Sequence, residues 1–284
     1  MINRRVAIII LSRNLPDRVE NLVQEFREHD TDASDIYVIE AGTDRERLSP
    51  HYTTWASSDE VMQEGLRLPR GFNLGLLELL RTGRFHDYDF FFLVRATVDL
   101  EGPVVSRLLT QMSAHPRVGI LSPCGATWEE RALIGPDDLR YVWHINHYAW
   151  LVRRELVELV MEREDPSVMN LLFDGTNFRG YGTDLELVTK GYINEYATAL
   201  STAAFLNEDP ELLMSQADLI KTDPFGVNAR IVFEEGFRWM RRKYGFRTRL
   251  QMQVYAEMWY ERFFALNPSL EEYRLLSIGE RRAR

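Results

Sequence analysis

Two acidic residues stand one residue apart in the segment "RGYGTDLEL", where two glycines lead into an apolar run. Thr183 and Glu186 have the Thr-x-x-Glu spacing of a capping box, so we expect Thr183 to cap a helix and Glu186 to reach back to the cap N–H. Asp184 takes no part in such a box, and residues two apart on a helix do not face each other. Asp184 is therefore the candidate catalytic carboxylate, although the helix dipole alone also favours an acid in a first turn.

Histidines and aromatic residues are concentrated in a second segment, "WHINHYAW". Two histidines three apart could bind zinc together with a third ligand if they shared a helix face. This segment reads as extended, where side chains three apart point to opposite faces, so we expect no joint metal site. We expect His144, His147 and Trp150 to line a binding pocket, while core packing explains the aromatic residues equally well.

Composition narrows the class of protein. Hydrophobic residues make up 45% and charged residues 27% of the 284 residues, which is typical of a globular protein. The formal net charge of −9 disfavours bulk nucleic-acid binding and a polybasic membrane anchor. Cys124 is the only cysteine, which excludes an intrachain disulfide and a cysteine-based zinc site. We expect Cys124 to be buried at the end of a strand.

The apolar run at residues 6–11 follows two arginines and imitates the start of a signal peptide. The run is too short for a signal peptide and far too short to cross a bilayer, and no later apolar stretch reaches spanning length. We therefore read it as a buried strand and expect a soluble, cytoplasmic protein.

Strand and helix patterns alternate through the first half of the chain. "VAIIILS" is a continuous β-branched run, and the helical spacing of "LPDRVENLVQEFREH" follows it. "TTWAS" reads as a further short strand, and the helical stretch 59–83 is expected to break at Pro69 and Gly71. This alternation predicts a mostly parallel sheet with helices on both faces. Ligands of such sheets bind beyond the carboxyl ends of the strands, here residues 12–14, 40–44 and 95–99.

The last third of the chain has a different pattern. After Pro210 the sequence is helical, with aromatic and methionine-rich apolar faces. We predict a domain at residues 1–209 that carries the binding and catalytic residues. Residues 210–284 are predicted to form a helical extension that packs on this domain or forms an oligomer interface.

Several blocks, in order, resemble the inverting family-2 glycosyltransferases with the GT-A fold. The blocks are "VAIIILSRN", "YVIEAGTD", "RGFNLGL", "YDFFFLVRATVDL", "INHYAWLVRREL" and "FRGYGTDLELVTKGY". The resemblance covers about residues 5–205. It implies an α/β protein with a Rossmann-like, mostly parallel sheet flanked by helices. It also implies an enzyme that moves a sugar from a nucleotide-diphosphate sugar to an acceptor hydroxyl with inversion.

The resemblance also assigns site residues. Asp184 is implied as the general base, and His144, His147 and Trp150 are expected on the acceptor side. The residues implied to bind the donor are Ser12, Arg13, Asn14, Glu40, Gly42, Asp44, Arg70, Asn73 and Arg95. Turn formation also explains Glu40 and Asp44. A helix N-terminus, which suits phosphate oxygens, also explains the segment 70–73.

The chain departs from the family at the metal motif. The family has Asp-x-Asp after its fourth strand, where this chain has Val94, Arg95 and Ala96, and Asn207 stands where the family has a metal-binding histidine. Hard divalent cations need carboxylate oxygens. We therefore predict that Mn²⁺ or Mg²⁺ is not required and that Arg95 or Arg70 offsets the charge of the leaving diphosphate. Arg95 could equally pair with a neighbouring carboxylate.

The expected partners are a UDP-, dTDP- or GDP-type donor, an unidentified hydroxyl acceptor and a second copy of the chain bound through the C-terminal helices. The lost metal motif also fits an alternative, a non-catalytic nucleotide-sugar-binding or scaffold protein of the same fold. A nucleotidyltransferase is disfavoured because "LSRNLPDR", after the first strand, has no glycine.

Overall fold

One sheet carries the fold in the computed structural model, which describes residues 5–30, 34–125 and 139–275. Its nine strands are β1 (Val6–Ser12), β2 (Ser34–Ala41), β3 (Tyr52–Ala56), β4 (Phe90–Arg95), β5 (Val98–Leu100), β6 (Val118–Gly125), β7 (Leu139–Tyr141), β8 (Ala149–Arg153) and β9 (Ala197–Glu208). Their order across the sheet is β3-β2-β1-β4-β8-β6-β9-β5, and β7 also pairs with β9.

Helices follow most of the strands. They are α1 (Pro16–His29), α2 (Asp59–Glu64), α3 (Arg67–Arg81), α4 (Val104–Ala114), α5 (Arg154–Val160), α6 (Thr183–Ile193), α7 (Pro210–Ser215), α8 (Phe225–Tyr244) and α9 (Arg249–Leu266). None of the helices in the described ranges is long and apolar enough to cross a membrane.

The directions of the strands confirm the α/β class and show antiparallel pairing of β8 that the sequence did not predict. β1 pairs in parallel with β2 and β4, and β2 pairs in parallel with β3, the strand expected from "TTWAS". β8 lies antiparallel between β4 and β6, so the sheet has mixed polarity. Ser12 is level with Glu40, and Leu11 is level with Arg95. The carboxyl ends of β1, β2 and β4 therefore meet at one edge, as the alternation predicts.

β1 is buried on both faces, which explains its uninterrupted β-branched sequence. α1 contributes its apolar face to the core, and α3 packs closely on β1. A Cβ on Gly71 would lie 2.4 Å from Cδ1 of Leu11, and one on Gly75 would lie 2.6 Å from Cγ2 of Ile9. The two glycines therefore permit the close approach of helix and strand. Cys124 is buried in β6, as expected.

The predicted helix break at Pro69 and Gly71 is wrong. α2 ends at Glu64 and is followed by Gly65, which has a φ of 75°, and α3 begins at Arg67, which has a φ of 55°. Pro69 lies in the first turn of α3, where a missing N–H costs no helical hydrogen bond. The break is at Gly65 and Leu66, so Arg67 lies at the start of a long helix.

The C-terminal helices pack on the rest of the chain. α9 lies against α6, and its residues Tyr260, Phe263 and Phe264 join the main core. The hydroxyl of Tyr260 donates to the carbonyl of Tyr141 at 3.1 Å. The boundary at residues 209 and 210 stays a prediction, because nothing in this packing tests whether the two parts fold separately.

Candidate functional site

A cavity of about 950 Å³ lies beyond the carboxyl ends of β1 and β4. Ser12 and Arg13 line it from the end of β1, and Arg95 lines it from the end of β4. Its opposite walls come from the loop 142–148, the segment 180–185 and one side of α8. The cavity therefore occupies the position where ligands bind in open α/β sheets.

Asp184 lies at the wall of this cavity between two histidines. Its Oδ1 is 3.1 Å from Nε2 of His147, and its Oδ2 is 3.3 Å from Nε2 of His144. The Asp184 side chain is 2% exposed, whereas those of His144 and His147 are 41% and 33% exposed. Both are close charge contacts that lack ideal hydrogen-bond geometry. The candidate carboxylate thus reaches the cavity beside two imidazoles.

The expectation that the two histidines point to opposite faces is wrong. β7 ends at Tyr141 and β8 begins at Ala149, so the histidines lie on a loop rather than on a strand. The amide of Tyr148 donates to Oδ1 of Asn146 at 3.1 Å, which turns the chain between the histidines. Side chains three apart can therefore meet one carboxylate.

The ionisation of Asp184 follows from its neighbours. Burial by itself raises the pKa of Asp184. The charges and contacts of His147 and His144 outweigh burial and hold that pKa well below its usual range. Asp184 is therefore a carboxylate at neutral pH, which is the form that a base or an orienting group requires.

The predicted capping box is also wrong. The residue before α6 is Gly182 in the left-handed region, and no side chain caps the helix. The Thr183 hydroxyl donates to the carbonyl of Gly180, and Glu186 accepts a hydrogen bond from the Tyr244 hydroxyl at 2.5 Å. Lys243 lies 2.7 Å from Glu186. Glu186 therefore has a structural role, as expected. Its contacts hold the last residues of α8 and do not cap the start of α6.

Trp150 lies in the core instead of the predicted acceptor pocket. It is buried between Phe72 and Phe173, and its indole N–H donates to the carbonyl of Asn146. Through this bond it supports the loop that carries His144 and His147. Its link to the site is therefore indirect.

Three of the residues predicted to bind the donor hold another part of the chain. Arg13 donates to the carbonyl of Lys221 at 3.0 Å, and Asn14 donates to the carbonyl of Leu219 at 2.8 Å. Asp44 pairs with the ammonium of Lys221 and accepts a hydrogen bond from Asn14. Residues 219–223, which we call the 219–223 segment, are thereby fixed across the carboxyl ends of β1 and β2.

Glu40 and Gly42 do not line the cavity. Glu40 is fully buried, where its carboxylate accepts hydrogen bonds from the Thr43 hydroxyl and the Ser49 amide, and burial raises its pKa. Gly42 has a φ of 81°, and a Cβ there would lie 2.1 Å from the carbonyl oxygen of Val61. Both residues shape the turn after β2, as turn chemistry alone predicts.

Asn73 is buried in the middle of α3, away from the cavity and the helix N-terminus. Its amide nitrogen donates to the carbonyls of Val168 and Phe173, and its oxygen accepts from the amides of Leu172 and Phe173. Arg70 has a similar role, because it donates to the carbonyl of Gly175 at 2.9 Å. Both side chains thus hold the loop that leads to α6.

We expect Asn73→Asp to lower the free energy of unfolding by about 3 kcal/mol or more, because a carboxylate cannot donate to the two buried carbonyls. The control is Glu78→Gln on the same helix, which removes a partly exposed ion pair with Arg81 and should change stability by less than about 0.5 kcal/mol. Urea titration followed by circular dichroism measures both. Equal stability of the two variants would contradict the proposal that Asn73 holds the loop that leads to α6.

Arg95 already has a partner. Its guanidinium lies 3.1 Å from a carboxylate oxygen of Glu208. This is the pairing with a neighbouring acid that the sequence analysis gave as the alternative. With Arg70 outside the cavity lining, neither cation proposed from the sequence is an unpaired charge in the cavity. Arg95 does line the cavity, so its role at the leaving group stays a prediction, whereas Arg70 lies outside the lining.

Arg67 is the cation that the sequence analysis missed. It lines the cavity, its NH1 donates to the Thr222 hydroxyl at 2.9 Å, and its buried Nε has no partner. Burial, followed by the charge of Arg179, lowers the pKa of Arg67. Burial and the charge of Arg67 likewise lower the pKa of Arg13 to about 10. Arg13 and Arg67 therefore bring two guanidinium groups close together in the cavity lining.

The residues near the end of β4 do not fit a divalent cation. Asp99, the nearest acid to the altered motif, lies 3.2 Å from Arg18, and Asn207 donates to Glu101 at 3.0 Å. Within the ranges that the structure describes, no group of three or more His, Cys, Asp or Glu side chains could hold a metal ion.

No protein-family model matches the sequence, and no curated protein sequence is significantly similar to it. Solved structures do match. A structure of GalNAc-T7 with UDP, GalNAc and Mn²⁺ is similar over 95% of this chain and 59% of its own, with a TM-score of 0.54 and 9% identity. This chain therefore spans 59% of the length of that one.

Two further structures are similar at lower scores. A Pyrobaculum calidifontis mannosyltransferase with GDP-Man and Mn²⁺ has a TM-score of 0.47 and 12% identity, over 92% of this chain and 87% of its own. Glucosyl-3-phosphoglycerate synthase from Mycobacterium tuberculosis, with Mn²⁺, UDP and its product, has a TM-score of 0.48 and 11% identity, over 83% and 79%. The similarity to GalNAc-T7 confirms the GT-A fold of glycosyltransferases.

Proposed function

We propose that this chain is a glycosyltransferase that moves a sugar from a nucleotide-diphosphate sugar to an acceptor hydroxyl with inversion. The observation that carries the proposal is the presence, in the lining of one cavity, of an ionised carboxylate at Asp184 and of a guanidinium at Arg67 that makes no ion pair within the described residues. A single displacement at an anomeric carbon needs these two groups, a base for the attacking hydroxyl and a positive charge for the departing diphosphate.

The reaction is one substitution. The acceptor oxygen forms a bond to the anomeric carbon as its proton leaves, and the bond from that carbon to the diphosphate oxygen breaks. The diphosphate leaves with the electron pair, and attack from the opposite face inverts the configuration. Asp184 is the proposed centre of base catalysis, and Arg67 is the proposed counter-charge in place of a metal ion.

The direct test is turnover with a set of UDP-, dTDP- and GDP-sugars and simple hydroxyl acceptors, in EDTA and in Mn²⁺, followed by proton NMR. We expect one donor to release nucleoside diphosphate in EDTA, with a product whose anomeric coupling shows inversion. A product with retained configuration would contradict the single displacement. Turnover only with Mn²⁺ would contradict the role of Arg67.

One observation favours the non-catalytic alternative. Arg13, Asn14 and Asp44, which the family resemblance assigns to the donor, hold the 219–223 segment. A protein that binds a partner through this face would show no turnover with any donor. The turnover experiment therefore decides between the two functions.

A homodimer through the C-terminal helices is also proposed. Leu250, Val254 and Met258 are exposed large apolar residues spaced four apart on α9, which is the spacing of one helix face. Burial of this face against a second copy would remove it from water. Light scattering at micromolar protein should give twice the chain mass, and the chain mass itself would contradict the dimer. A cytoplasmic location stays a prediction.

A further inference from the structure

We infer that Nδ1 of His147 receives the proton of the acceptor hydroxyl and that Asp184 acts through this imidazole rather than as the base itself. The inference rests on the proposed function and names the proton acceptor of that reaction. His147 becomes the catalytic residue, and Asp184 becomes a positioning residue.

The surroundings of Asp184 are the first reason. Its side chain is 2% exposed, and each of its oxygens faces an imidazole Nε2. A hydroxyl in the cavity meets the more exposed imidazoles before it meets the carboxylate.

The orientation of His147 is the second reason. Its Nε2 is buried and faces Oδ1 of Asp184 at 3.1 Å, an approach that a catalytic complex can straighten into a hydrogen bond. The neutral ring then carries its proton on Nε2, and the lone pair is on Nδ1. In the part of the chain that the structure describes, Nδ1 of His147 makes no hydrogen bond and is not buried. This nitrogen is therefore available to a ligand in the cavity.

His144 is the poorer acceptor of the two. Its Nε2 lies 3.3 Å from a guanidinium nitrogen of Arg249 as well as 3.3 Å from Asp184. The guanidinium of Arg249 can donate to the lone pair of this nitrogen, whereas His147 contacts no guanidinium among the described residues. His144 is thus a matched control, because it contacts the same carboxylate from the same loop.

The charged and titratable groups around the pair are few. Asp184 favours the imidazolium of His147, whereas His144 and Arg249 oppose it. The Tyr181 ring lies under the guanidinium of Arg249, and burial raises the pKa of Tyr181, so it stays neutral near pH 7. The carboxylate that faces His147 is therefore the group that stabilises its protonated state.

The proton balance of the step is simple. The O–H bond of the acceptor breaks as its proton moves to Nδ1, which leaves His147 as an imidazolium beside Asp184. The acceptor oxygen bonds to the anomeric carbon, and the diphosphate takes the electron pair of the broken bond. His147 returns its proton to water after the products leave.

The first test needs no turnover. Long-range proton–nitrogen NMR on ¹⁵N-histidine protein reads the tautomer of each ring, with His147→Gln and His144→Gln to assign the signals. We expect the neutral ring of His147 to carry its proton on Nε2 in the wild type and to lose this tautomer preference in Asp184→Asn. A proton on Nδ1 would overturn the inference.

The second test compares the two variants in transfer. Glutamine can donate to Asp184 but cannot accept a proton, so His147→Gln should lower kcat by about 10²–10⁴-fold, with little change in donor KM and loss of the acid limb of the pH profile. His144→Gln removes a neighbour of Asp184, so it should lower kcat less than His147→Gln does and should keep that limb. Wild-type transfer that persists in His147→Gln overturns the inference alone. Absence of transfer with every donor overturns the proposed function and the inference with it.

Discussion

Asp184→Asn is expected to lower the rate of sugar transfer by about 10²–10⁴-fold, the size of a general-base contribution, because it removes the carboxylate that orients His147, while donor affinity stays nearly unchanged. Donor affinity should hold because Asp184 contacts His144 and His147, whereas Arg67, the proposed diphosphate contact, hydrogen-bonds to Thr222. Calorimetric titration of nucleoside diphosphate and initial rates of transfer measure the two quantities separately. A parallel loss of both would mean that Asp184 is structural.

Glu186→Gln is the matched control, since it changes a second buried acid of the same helix turn. It weakens the contacts with Tyr244 and Lys243 and should lower the melting temperature with little effect on kcat.

Asp184→Asn should also change the dependence of stability on pH. The folded-state pKa of Asp184 is lowered, so its carboxylate adds stability above the unfolded pKa and loses it as pH falls through the folded pKa. The stability difference between wild type and variant should therefore shrink towards strongly acid pH. A difference that is constant with pH would contradict the charge contacts.

Arg67→Gly is expected to weaken nucleoside diphosphate binding by about 10²-fold, a loss consistent with removal of a charge-assisted contact. Glycine suits this position because Arg67 has a φ of 55°, a region that strains other residues. The substitution removes the guanidinium without backbone cost, so the melting temperature of the free protein should stay equal or rise. Calorimetry in EDTA measures the affinity.

Arg70→Ala is the control for this second prediction. Arg70 is three residues further along α3, but it donates to the carbonyl of Gly175 and does not line the cavity. We expect it to cost stability while nucleoside diphosphate affinity changes by less than about threefold. If Arg70→Ala and Arg67→Gly weakened binding equally, the assignment of the diphosphate site to Arg67 would be wrong.

The sheet was predictable from local pattern, whereas its polarity at β8 was not. Residues 6–10 are apolar in sequence and buried in the structure, because a strand covered on both faces has no polar alternation. All five residues of β8 are buried, and burial on both faces occurs in parallel and antiparallel strands alike. The sequence therefore could not show that β8 runs antiparallel to β4. That pairing depends on contacts distant in sequence.

The sequence was enough to predict several residues of the site but not the contacts between them. Asp184 could be separated from Glu186 by helical spacing, and the structure brings Asp184 to the cavity with its predicted neighbours His144 and His147. The contact between these three could not be predicted, because it depends on a loop conformation at residues 142–148. Arg67 was missed because an arginine in a helical run looks like an exposed charge. The φ of 55° that marks it appears only in the structure.

Thermal unfolding with UDP-, dTDP-, GDP- and CMP-sugars, each with EDTA and with Mn²⁺, tests the central claim most directly. A ligand that binds only the native state stabilises it by ~2.7 kcal/mol at 100 times its Kd. We predict that one nucleotide class raises the melting temperature by several degrees in EDTA and that Mn²⁺ adds little. Unchanged melting with every donor, with and without Mn²⁺, would contradict a donor site in this cavity and favour the scaffold function.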